Sequence, residues 1–201
     1  MSDNDTPQRT RHERIADLGA LKALAHPVRI ALYDLLSQYG PATASGLGER
    51  IGESSGSTSY HLRQLAAHDL IREVEGRGSA RERWWERTPG GLSIVATETR
   101  SDPAAMEMTR TVVEHWNANR AELLDEFSRR GPVELDDAWF EASVISTLNF
   151  RLTAEQLDEF VAEWQDLADR LYERFHGSDL PGSRPVQVHF NAFPLMGGEA
   201  S

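Results

Sequence analysis

Ser57, Ser59, Tyr60, His61, Arg63 and Gln64 stand close together in the stretch from Thr43 to His68, and they are the side chains best suited to chemistry in this chain. That chemistry is hydrogen bonding rather than bond breaking. Guanidinium and amide groups make bidentate contacts to base edges worth about 1–3 kcal/mol each, while hydroxyls and further arginines suit phosphate oxygens. On a 3.6-residue period Thr58, Leu62 and Leu65 turn inward. Ser57, Tyr60, Arg63 and Gln64 then face outward, with Ser59 and His61 on the flanks. A helix about 10–12 Å across enters a B-DNA major groove about 12 Å wide, and small residues in its first turn permit close approach. The competing reading is an ordinary solvated helix face, and for His61 a half-buried packing role.

Such a helix must be held by others. Residues 44–51, with Leu47 and Ile51 one turn apart, predict a short preceding helix, Gly52-Glu53 a turn, and Ser54 or Ser55 the N-cap of the helix that follows. This is the shape of a helix-turn-helix. Residues 70–74 then alternate apolar and charged side chains, E-G-R-G-S-A supplies two glycines for a hairpin tip, and R-E-R-W-W-E-R resumes the extended pattern. The hairpin is a wing, with Arg77, Arg81 and Arg83 placed to reach phosphates or a minor groove and Trp84 and Trp85 at its base. Upstream, Ile15, Leu18, Leu21, Lys22 and Ala25 keep helical spacing as far as Pro27, and the edge carrying Ile15 and Leu18 suits a contact between two copies. Pro27 opens a core helix with Val28, Leu32, Leu35 and Leu36 on one face; Arg29, near its start, is expected to pair with an acid.

The second half is of different character. Thr88-Pro89-Gly90-Gly91 marks the boundary, giving a disordered arm over residues 1–13, a first domain over 14–91 and an acidic domain over 92–201. A long helix is predicted from Asp102 until Gly131-Pro132. Its steps of three and four pick out Met106, Thr109, Val113, Trp116, Arg120, Leu123 and Phe127, a heptad-like seam whose apolar members, Met106, Val113, Trp116, Leu123 and Phe127, suit dimerisation. Residues 141–152 and 186–193 alternate as strands. Between them Thr153 and Gln156 form a capping box for a helix with Leu157, Phe160, Trp164, Leu167 and Leu171 inward. The fold class is therefore mainly α with small β: a winged helix-turn-helix, a helical dimerisation segment and a small α+β C-terminal domain. Trp116, Trp139, Trp164, Phe150 and Phe190 are candidates to line a pocket for a small-molecule effector, against the plainer reading that they are core.

Composition excludes several classes. No run approaches the ~20 apolar residues that span a bilayer and no apolar stretch follows the charged N-terminus, so a cytoplasmic protein without membrane contact is expected. There is no cysteine, hence no disulfide, thiolate ligand or thiol nucleophile. Without a His-Glu-x-x-His pair, a phosphate-cradling glycine loop or a nucleophile elbow, neither catalysis nor a cofactor is expected. Glu114-His115 lacks a well-spaced second histidine, so no metal site is expected either. The net charge of -11 is unevenly spread: residues 1–91 hold 12 basic and 12 acidic side chains, residues 92–201 hold 9 and 20. A neutral first half can still present a local basic stripe.

L-K-A-L-A-H-P-V-R-I-A-L-Y-D-L-L, then L-G-E-R-I-G, then S-T-S-Y-H-L-R-Q-L-A-A-H-D-L-I and the arginine-bearing hairpin resemble the winged helix-turn-helix of ArsR-type bacterial transcription regulators, over roughly residues 15–90. The resemblance implies a homodimer that sets two recognition helices in successive major grooves of a near-palindromic operator in double-stranded DNA. It does not carry over a metal site, because metal-sensing members use thiolates or paired His and carboxylate ligands. The acidic half resembles, more loosely, the helical-plus-strand extension of some actinobacterial members. The alternative function is a winged helix serving as a protein-interaction module without sequence-specific DNA binding.

Overall fold

The computed structural model describes residues 13–15, 17–79, 82–89, 91–93, 102–175 and 180–197. These divide into two compact units, one taking residues 13–123 with 184–186 and the other residues 124–183 with 187–197. The predicted N-terminal arm lies outside the described residues, apart from Glu13.

The first unit opens with β1 (Glu13–Ile15) and α1 (Leu18–Leu24). Ile15 was expected inside the first helix and instead lies in β1. The helix starts later because Asp17 caps it, its carboxylate accepting from the Ala20 amide at 2.7 Å. Helix α2 (Pro27–Tyr39) carries proline in its first turn, where the missing amide is harmless. Strand β2 (Ala42–Thr43) leads into α3 (Ala44–Ile51) and α4 (Ser55–Ala66), then β3 (Ile71–Ser79), β4 (Glu82–Arg87) and β5 (Gly91–Ser93). The sheet order is β2-β4-β3, antiparallel, and β1 pairs separately with β5 in parallel.

Leu21, Leu24, Ile30, Leu32, Leu36, Leu47, Leu62, Leu65 and Ile71 form the core where these helices meet the sheet. Each is almost wholly withdrawn from water, which stabilises the unit by roughly 1.5–3 kcal/mol per side chain relative to exposure. Helix α5 (Pro103–Glu134) adds Val112, fully buried, and Trp116, half-buried, to this core, with Ala105 buried on the same stripe. The heptad-like seam is thereby split. Trp116 packs within the unit, whereas Met106 and Val113 stay exposed.

Helix α5 does not stop at Gly131-Pro132 but runs on to Glu134. Proline lies only two residues from the end, the ladder continues through the Leu135 amide to the Gly131 carbonyl at 3.1 Å, and Arg130 pairs with both Glu126 and Glu134 across it. In the second unit, α6 (Asp137–Ala142) is capped by Asp136, which accepts from the Trp139 amide at 3.0 Å, and Phe127 stacks on Phe140. Helix α7 (Ala154–Phe175) opens on the expected capping box, with Thr153 and Gln156 exchanging side-chain and backbone bonds at 3.0 and 3.2 Å.

The two strands expected over residues 141–152 and 186–193 are not formed. Glu141 and Ala142 end α6, and the rest of both segments joins no sheet among the described residues. Alternation makes a segment fit to be a strand, but a strand exists only when a neighbour accepts its backbone bonds. Of the residues proposed to line an effector pocket, Trp116 packs against the core of the first unit, while in the second unit Phe150 lies against Phe160 of α7 and Phe190 against Phe160 and Trp164.

Candidate nucleic-acid interface

Each helix of the pair α3 and α4 is fixed at its start by a hydroxyl. Thr43 Oγ1 accepts from the Gly46 amide at 3.2 Å, and Ser54 Oγ accepts from the Ser57 amide at 3.2 Å, so the N-cap is Ser54 rather than Ser55. Gly52 ends α3 with φ 72, the left-handed cap that glycine adopts without strain. The turn is tight enough that a Cβ on Gly48 would come within 2.7 Å of the Glu53 carbonyl oxygen and 2.9 Å of Thr58 Oγ1. Thr58 is fully buried, yet its hydroxyl is satisfied by donating to the Ser54 carbonyl at 3.0 Å.

Thr58, Leu62 and Leu65 are buried. Of the side chains expected outward, Tyr60, 52% accessible, and Arg63 are exposed, whereas Ser57 and Gln64 are half-buried like Ser59 on the flank. His61 is half-buried too. Its ring lies 4.7 Å from that of His26 and 5.3 Å edge-on to Tyr60, so it faces the start of α2 as much as solvent. Among the described residues, the buried Nδ1 atoms of His26 and His61 have no hydrogen-bond partner. Burial first, then the neighbouring His26 and Arg29, lower the His61 pKa and favour the neutral ring.

Among the described residues, Arg29 meets backbone carbonyls rather than the acid expected. Its Nε donates to the Ala23 carbonyl and an Nη to the Lys22 carbonyl at 3.1 Å, so its charge sits on the negative end of α1 and satisfies carbonyls there.

Of the wing arginines, the described ones, Arg77 and Arg83, both have partners within the hairpin. The Arg77 guanidinium lies 3.6 Å from the Trp84 ring centre, a cation–π contact. Arg83 pairs with Glu73 at 3.3 Å, and Arg81 lies outside the described residues. Trp85 is buried at the base of the wing, and Trp84 is half-buried beside it. Gly78, at φ 103, bends β3 where its register to β4 shifts; a Cβ there would collide with the Glu82 carbonyl.

Between α4 and the wing lies a cleft of about 330 Å³ whose lining includes Thr43, Ser45, Ser55, Ser59, Arg63, Glu82 and Arg83. Four hydroxyls and two guanidinium groups along it are donors of the kind that hold phosphate oxygens, and Glu82 opposes them with a negative charge. Thr43 and Ser45 were not foreseen as site residues. The signal was a helix start, T-A-S-G, that places two hydroxyls beside free backbone amides. Among the predicted dimerisation residues, Leu18, Met106 and Val113 are exposed, Leu123 and Phe127 are half-buried, and only the backbone of Ile15 is described.

Residues 24–74 match the family model described as a helix-turn-helix domain. The first unit contains a helix-turn-helix domain. With the β3–β4 hairpin it is the winged form. Among solved structures, the chain is similar to NolR from Sinorhizobium fredii, at 22% identity over 49% of this chain and 81% of that one, with a TM-score of 0.32. It is also similar to the homodimeric winged helix-turn-helix DNA-binding domain of Mb0332 from Mycobacterium bovis, at 20% identity over 54% and 77%, with a TM-score of 0.31. A third is the ArsR family transcriptional regulator RHA00566, at 27% identity over 53% and 88%, with a TM-score of 0.30. Comparison with curated proteins found no match. Among the described residues, no helix is long and apolar enough to cross a membrane, and no group of three metal-ligating side chains is placed to hold an ion.

Proposed function

We propose that the protein is an ArsR-type transcription regulator that binds double-stranded DNA sequence-specifically as a homodimer on a near-palindromic operator. The observation that carries this reading is the helix-turn-helix with its polar face open: Thr58, Leu62 and Leu65 are buried under α4 while Tyr60 and Arg63 point away. Helix α4 enters the major groove, with Arg63 and Gln64 reading base edges and Tyr60, Ser57 and Ser59 beside them. His61, packed against His26, holds the middle of α4 on the start of α2. The hydroxyl-lined cleft and the wing arginines, Arg77, Arg81 and Arg83, hold the phosphate backbone. Leu18, Met106 and Val113, exposed on α1 and α5, supply the contact between copies that pairs two recognition helices. The chain acts in the cytoplasm without catalysis, and a small-molecule effector, where there is one, acts on the acidic second half.

Selection of bound sequences from random duplexes tests this. Enrichment of a two-fold symmetric motif, with affinity falling as salt rises, is the expected result. Binding without an enriched motif would instead favour the winged helix as a protein-interaction module.

A further inference from the structure

We propose that Arg29 and Lys22, at the corner where α1 meets α2, form a second phosphate-binding bank beside α4, on the flank away from the wing. The proposal rests on the DNA-binding reading above and adds to it a grip on the strand across the major groove from the one the wing holds. Three observations carry it.

The first is the arrangement of flanks around α4. Ser55, Ser59 and Arg63, spaced by four residues, share one stripe and line the cleft toward the wing. His61 is two residues from Ser59 and so roughly 160° away around the helix. Its ring lies 4.7 Å from that of His26, which fixes this opposite flank to the start of α2. Tyr60, exposed, lies between the two flanks. A helix about 10–12 Å across fills a major groove about 12 Å wide, so the flanks face the two phosphate walls. A wall on each side calls for cations on each side.

The second observation is that the corner supplies them. Arg29 Nε donates to the Ala23 carbonyl and one Nη to the Lys22 carbonyl at 3.1 Å, which fixes the plane of the guanidinium fork. Among the described residues its other Nη takes no hydrogen bond, so that donor is available to an anion. Lys22, in the last turn of α1, is exposed and enters no ion pair among the described residues.

The third is proximity to the reading face. Arg29 lies close enough to Tyr60 for the two to interact electrostatically, and with His26 it also acts on His61. The guanidinium therefore stands beside the exposed side of α4 and not behind it. Glu53, in the turn before α4, is the acid that acts on His61 from this side, and the two cations outnumber it. An Arg29 that served structure alone would satisfy the end of α1 and do nothing else. That role gives no part to the Lys22 ammonium, which makes neither of those bonds.

Lys22→Ala and Arg29→Gln in the full-length protein, on its selected operator, test the proposal, with Arg129→Ala on α5 as control. Ethylation interference maps the phosphates that each variant needs. With the wild-type protein, interfering phosphates should fall on both strands across each major groove. Lys22→Ala should lose the group on one strand and Arg83→Ala the group on the other, each with several-fold weaker binding and a salt slope lower by about 1 per protomer. Arg129→Ala should change neither. Where Arg29→Gln does not fold, Lys22→Ala decides, since its side chain is exposed. A Lys22→Ala protein with the wild-type interference pattern and slope overturns the proposal and leaves DNA binding standing, as does loss of the same phosphates as in Arg83→Ala. A wild-type protein that shows no salt-dependent binding to duplex DNA overturns both.

Discussion

Nε2 of His115 lies 3.1 Å from Oδ2 of Asp34, tying α5 to α2 across 81 residues of chain. The same carboxylate oxygen accepts from Asn119 at 3.2 Å, and Asn119 in turn accepts from Gln38 at 3.1 Å. Burial raises the Asp34 pKa, and the His115 charge and hydrogen bond are the main influences pulling it back. His115→Ala should therefore destabilise the protein by on the order of 1 kcal/mol, the modest figure reflecting the partial exposure of His115. Asp34→Asn in the His115→Ala background should recover part of the loss, because an amide needs no cation. Urea midpoints at constant m decide it, and strict additivity of the two changes would contradict the linkage.

The His26–His61 pair predicts a dependence on pH. The His61 pKa is depressed on folding, mainly by burial, so the unfolded chain binds the proton more readily. Stability is then present above the ordinary value of 6.5 and is lost as pH falls from there through the folded pKa. His61→Gln should flatten the urea midpoint over this window and leave it unchanged above about pH 8. An equal slope in the variant, or a His61 ring that titrates by NMR above 6.5, would remove the basis for it.

What could be read in the sequence followed from the range of the forces involved. Local signals were reliable: the Thr153–Gln156 box, a serine cap at Ser54 or Ser55 and the stripe of Thr58, Leu62 and Leu65 depend on neighbours within a turn or two. Contacts across distance were not. Trp116 was indistinguishable from Met106 on a seam, because which of them faces the core depends on where α5 lies against it. The Asp34–His115 pair and the hydroxyl cleft join side chains on separate elements, and no spacing announces them. Arg29 was expected to meet an acid, but backbone carbonyls at a helix end attract a cation as well. The segments at 141–152 and 186–193 carried a strand pattern but join no sheet among the described residues, because alternation within a segment does not supply a neighbour.

Gly48 is predicted to be intolerant of a methyl group. A Cβ would press on the Glu53 carbonyl and on Thr58 Oγ1, and both are fixed, one by the turn and the other by its bond to Ser54. Gly48→Ala should cost about 1–3 kcal/mol through overpacking, despite the better intrinsic helix propensity of alanine. It should also weaken DNA binding by displacing α4 relative to α3. A thermal midpoint equal to that of the parent would show that the turn yields.

On the interface itself, two classes of substitution should separate. If α4 reads base edges as proposed, Gln64→Ala and Arg63→Ala should each relax preference at one operator position by about 1–3 kcal/mol while other positions keep theirs. If the wing holds phosphates as proposed, Arg77→Ala and Arg83→Ala should weaken every sequence alike while lowering the salt slope by about 1. Without DNA, Arg83 is paired with Glu73 and Arg77 lies over Trp84. Glu73→Gln should accordingly strengthen binding slightly, since it frees Arg83 and removes a negative charge from the wing. Competition binding across a library of operator variants at several salt concentrations measures both quantities together. If Gln64→Ala and Arg77→Ala gave the same preference profile and the same slope, the division between α4 as reader and the wing as clamp would be wrong.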